Sequence, residues 1–213
     1  MRKSFLVLIL LSPFVLFSQG GKKSKSGMGI GLKAGVNFAN VTKASSINSS
    51  NKTGFMAGAF LSPPSAGVMG FRTELIFSRQ GYDFKTNTTT GSVNLDYILF
   101  PQLTAINIGK VAQIQLGGQI AYLLKAKADS TTTQGSTNPY SGVMDHFNRL
   151  DYGAAAGLEI YPFKGLLIGA RYNISFGKAY QDPSSYNNGM RPSFFPSFDA
   201  KNNVVQLFAG YRF

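Results

Sequence analysis

The chain holds one histidine, His146, in the stretch "MDHFNR". An imidazole moves protons near neutral pH, and beside Asp145 or Asp151 it could be oriented to activate a serine such as Ser141 for acyl transfer. A lone histidine in a polar connecting stretch is usually just solvated, so catalysis is not expected. With no cysteine, a single histidine and no clustered carboxylates, the sequence has no metal-binding spacing. "GIGLKA" fits the glycine pattern of a dinucleotide loop, but it lies inside an alternating segment with no helix after it. Its glycines are better read as relieving crowding between neighbouring backbones, and neither cofactor nor metal is expected.

A second set of chemically able residues is distributed rather than clustered. Lys33, Arg72, Arg149, Arg171 and Arg212, with Glu74, Asp96, Asp151 and Glu159, fall on the polar parity of segments that alternate polar and apolar. Charges of both signs in near balance suit an enclosed space, where an unpaired ion costs several kcal/mol. Arg72, Glu74, Asp96, Asp151, Glu159 and Arg171 are therefore expected to form an interior polar network.

The elements that must position these residues read as strands. "VAQIQLGGQIAYLLK" puts Ile114, Leu116, Ile120, Tyr122 and Leu124 on one face and Gln113, Gln115 and Gln119 on the other. The same period of two recurs at about 29–40, 53–62, 67–82, 92–105, 111–125, 147–162, 165–178 and 203–213. Short connections ("SPPSAG", "NIGK", "FKG") alternate with longer ones rich in Ser, Thr and Asn, which predicts an up-and-down meander whose even strand count lets it close.

Two alternatives then differ in which side is wet: a soluble ligand carrier of lipocalin type, or a barrel in a membrane. Charged residues are only 14% of the chain, against roughly 25% in soluble domains. The opening "MRKSFLVLILLSPFVLFSQGG" has the basic start, short apolar run and small-residue end of a secretory signal. The boundaries expected are a signal peptide at 1–19, a basic spacer at 20–28 and the barrel at 29–213.

Lysine and arginine outnumber acids 21 to 9, for a net charge of +12. Export argues against nucleic acid, leaving the phosphates of outer-membrane lipid and lipopolysaccharide as the counter-charge. Arg79 and Lys178, on the apolar parity at loop ends, are candidate lipid-head-group contacts.

The lipid-facing row is expected to include Met69, Phe71, Leu75 and Phe77, then Leu95, Tyr97, Leu99 and Leu103, then Leu166 to Phe176 at alternate positions. Tyr97, Tyr152, Tyr211 and Phe213 are expected in aromatic girdles. The final "VVQLFAGYRF" ends on an aromatic after an alternating strand, so Tyr211 and Phe213 are the expected membrane-insertion signal, read by the barrel-insertion machinery.

"LKAGVNFAN", "ELIFSRQG", "LDYILFPQL", "GARYNISFG" and "AGYRF", in that order over the mature chain, resemble the PorT-like outer-membrane β-barrel proteins. The resemblance implies a small barrel in the outer membrane of a Gram-negative cell, and a link to secretion only for the founding member.

The fold class expected is all-β, an eight-stranded antiparallel up-and-down transmembrane β-barrel. Its expected role is structural or interactive, in envelope assembly, secretion or loop-mediated binding, with no enzymatic activity and no wide pore. Tyr180, Tyr186, Phe194, Phe195 and Phe198 in the last long loop make the expected binding surface for a protein partner. A lipid-modifying enzyme using His146 is the other reading held open beside the soluble carrier.

Overall fold

The computed structural model of the protein describes residues 28–42, 48–64, 67–85, 89–132, 144, 147–179 and 201–213. Eight strands form one closed antiparallel ring in chain order: β1 (Gly29–Thr42), β2 (Asn48–Ser62), β3 (Met69–Lys85), β4 (Thr89–Ile108), β5 (Ala112–Thr132), β6 (Leu150–Ile160), β7 (Leu166–Ser175) and β8 (Lys201–Arg212). β8 pairs with β1 from Gly31↔Arg212 to Thr42↔Lys201, so no strand is left at an edge.

The short connections lie at one end of the barrel, the turn end. Gly109 and Gly165 adopt φ of 61° and 85° there, a region that costs glycine nothing and other residues a steric penalty. The expected crowding at "GIGLKA" is met at Gly31, where a Cβ would fall 2.5 Å from the Tyr211 carbonyl oxygen of the neighbouring strand and 2.2 Å from the Phe60 ring.

The strands are unequal. β5 stays paired with β6 only as far as Tyr122↔Leu150, yet with β4 it continues to Thr89↔Thr132. A sheet containing β3, β4 and β5 thus stands above the loop ends of β6 and β7. A bulge at Asp96/Tyr97 re-phases β5 as it leaves the ring, turning Lys125 and Lys127 outward, both exposed.

Outward positions form an apolar belt. Leu32, Leu116, Leu158 and Leu207 are each about half exposed, while buried Lys33, Arg72, Glu74, Glu159 and Arg171 point inward. That is the arrangement of a barrel in hydrocarbon, the reverse of a soluble carrier.

β4 departs from expectation. Leu95, Tyr97, Leu99 and Leu103 are buried inside, and the outward row is Ile98, Phe100, Gln102, Thr104, Ile106 and Ile108. β4 is apolar on both parities, because the interior it faces in the loop half is itself apolar. Tyr97 packs there with Tyr82, Phe84, Val93, Leu123 and Phe147, so it belongs to no girdle.

Candidate functional site

The inward charges of β1, β3, β6 and β7 meet in the part of the lumen nearer the turns. Lys33 Nζ donates to Glu74 Oε1 at 2.7 Å, and Arg171 grips the same carboxylate with Nη1 to Oε2 at 2.5 Å and Nη2 to Oε1 at 2.9 Å. Arg171 Nη2 also donates to Gln115 Oε1 at 2.7 Å. Nearer the turns, Arg72 Nη1 donates to Glu159 Oε2 at 2.6 Å and Nη2 to the Tyr161 hydroxyl at 2.9 Å, while that hydroxyl donates to Glu159 at 2.8 Å. Burial pushes the Tyr161 phenol up to about 12, so it keeps the proton it donates.

Arg72, Glu74, Glu159 and Arg171 are thus brought together. Lys33, Gln115 and Tyr161 complete their network. Two aromatics support it: Phe208 lies beneath Lys33 (4.3 Å to the centroid) and Arg171 (5.5 Å), and Phe60 beneath Arg72 (4.4 Å). Phe208 breaks the polar parity of β8, which signals an unusual role, but its cations come from β1 and β7 and only ring closure brings them over it.

Asp96 does not belong to this network. It faces outward opposite Arg79, which donates Nε to Oδ1 at 2.7 Å and Nη2 to Oδ2 at 3.0 Å on the barrel's outer rim. Its inward placement followed from the same misread parity of β4. Asp151 does face inward, but at the loop end, bonded by the Ser175 hydroxyl and the Tyr152 amide rather than by the cations. Arg149 is exposed just before β6.

Arg79 and Lys178 both lie at the loop end, with Arg79 held by Asp96 and Lys178 exposed. Tyr211 and Phe213 face outward, their rings edge to face at 5.4 Å, and the Phe213 amide donates to the Ile30 carbonyl at 2.9 Å. Residues 1–27, Ser141, Asp145, His146, Tyr180, Tyr186, Phe194, Phe195 and Phe198 lie outside the described residues. Among the described residues no group of three potential metal ligands occurs.

Two cavities open at the turn end, of about 310 and 540 Å³, and share Asn107, Gln113 and Arg212 in their walls. Arg72 and Tyr161 also line them, so they reach the ionic layer. Above it the lumen is filled by Asn37, Ser78, Gln80 and Gln206 on one side and the apolar cluster on the other, all buried.

No curated protein matches the sequence. Solved structures with a similar course include Ail of Yersinia pestis (15% identity, 88% of this chain and 100% of that one, TM-score 0.49). OprG of Pseudomonas aeruginosa (10%, 91% and 99%, TM-score 0.48) and the Neisserial surface protein NspA (12%, 88% and 98%, TM-score 0.47) are others. The model of the outer membrane protein beta-barrel domain matches residues 17–181, which takes in β1 to β7. The chain belongs to that family and is an outer-membrane β-barrel protein.

Proposed function

We propose that the protein is a closed outer-membrane platform that works through its outer surfaces, without catalysis and without conducting solutes. The observation that carries this reading is the filled lumen: a layer of ion pairs, each of its five charged residues no more than 3% exposed, continuous with a packed apolar cluster. Eight strands leave an interior about the width of its own side chains, and here those side chains are tied to one another. Planar-bilayer recordings of the purified barrel should show no stable conductance; a large, steady opening would overturn the proposal.

The work then falls to the raised sheet of β3 to β5 and the connections it carries, which would lie outside the cell if both termini are periplasmic. We place the partner-binding surface on these segments and, by sequence position, on the β7–β8 connection that holds Tyr180, Tyr186, Phe194, Phe195 and Phe198. Arg79, Lys125, Lys127 and Lys178 would lie at the level of lipopolysaccharide phosphates. Tyr211 and Phe213 would be read by the insertion machinery. The resemblance of its motifs to those of PorT-like proteins favours a role in envelope assembly or secretion.

A further inference from the structure

In the middle of the apolar belt, the described outward positions of β1, β2, β5, β6, β7 and β8 carry aliphatic, aromatic, alanine or glycine residues. β3 and β4 differ. Thr73, Gln102 and Thr104 face outward, since Arg72, Glu74, Leu103 and Ala105 beside them are buried on the other side. Thr73 pairs directly with Gln102 across the two strands. Along β4, Gln102 stands midway between Asp96 at the rim and Ile108 at the turn. A carboxamide at that depth faces hydrocarbon tails, which offer it no hydrogen bonds.

Part of its bonding is local. The β3–β4 ladder runs from Met69↔Ile106 to Thr73↔Gln102 and resumes only at Ile76↔Leu99, across Pro101, which has no N–H to give. Gln102 Nε2 donates to the Pro101 carbonyl at 3.1 Å, and the Thr73 hydroxyl donates to Gln102 Oε1 at 3.0 Å. A carboxamide has two N–H donors and two acceptor sites, so one of each is unspent among the described residues. On the β5 side the facing residue is Gly118, where a Cβ would meet nothing closer than the Gly153 carbonyl at 3.7 Å. No side chain from that residue covers the amide.

We propose that this patch is a self-association site, occupied by a second copy of the chain in the plane of the membrane. All copies insert in one orientation, so Gln102 lies at the same depth in each. Its spare N–H and spare oxygen match those of its counterpart across a two-fold axis along the membrane normal. On the opposite wall Val205, Leu207 and Ala209 of β8 face outward, and none of them can hydrogen-bond through its side chain. One such patch per barrel closes a dimer rather than building a chain.

The chain has no cysteine, so single thiols report contacts cleanly. Leu116→Cys beside the patch and Leu207→Cys on the opposite wall would be compared in native outer membranes with a short thiol cross-linker. Leu116→Cys should give a homodimer and Leu207→Cys should not. Adding Gln102→Leu or the nearly isosteric Thr104→Val to Leu116→Cys should lower the dimer yield, by roughly tenfold for Gln102→Leu. Heat-dependent gel mobility would confirm that each variant is a folded barrel. Equal cross-linking at both walls, an undiminished dimer with both substitutions, or cross-links only to other proteins or to none would each overturn the proposal.

Discussion

Glu74 is shared by Lys33 and Arg171, and all three side chains are removed from solvent. Taking away the one negative group leaves two cations facing each other in a space water does not reach. Glu74→Gln should therefore destabilise the folded barrel by about 3–5 kcal/mol, read as a lower urea midpoint for loss of the compact gel form. Adding Lys33→Met and Arg171→Met to it should recover most of that loss, because the uncharged trio leaves no ion uncompensated. An unchanged midpoint for the single variant would remove the network from any structural role. The residue types of this cluster were legible in the sequence through their parity. Their pairing was not, since Arg72 and Glu159 lie 87 positions apart and meet only when the ring closes.

At the level of the strand, legibility followed contrast between the two faces. β5 and β7 alternate glutamine, arginine or asparagine against aliphatics, and their outward faces are as the period predicts. β4 has leucine and tyrosine on one parity, isoleucine and phenylalanine on the other, and a single charge, Asp96, that lies on the outside against Arg79. A two-residue period cannot choose a face when both neighbours of the strand, lipid and apolar lumen, accept the same side chains. The assignment has a direct check. Leu103→Cys should resist a membrane-soluble maleimide, whereas Ile106→Cys should react readily; the reverse pattern would restore the original parity. Strand ends were the other gap, because β3, β4 and β5 run on past the belt in residues whose composition resembles that of loops.

Taken whole, the molecule joins two parts: a ring in the membrane and a sheet that rises from one side of it. Inside that sheet Phe84 is buried with Tyr82, Val93 and Phe147, away from the ionic layer. Phe84→Ala should loosen the raised part, at a cost of up to about 3–5 kcal/mol locally. Limited proteolysis should then cut faster near the β3–β4 connection while the heat-dependent mobility of the ring stays as it was. A parallel drop in both would mean that they unfold as one unit. The unequal strands also give the rim a slope. Ten residues separate Tyr122, the last of β5 paired to β6, from Thr132, the last paired to β4, which at strand rise and barrel tilt is about 25 Å. Among the described residues, anything that approaches the loop end meets the tall flank first, and the strand ends of the short flank lie in its lee.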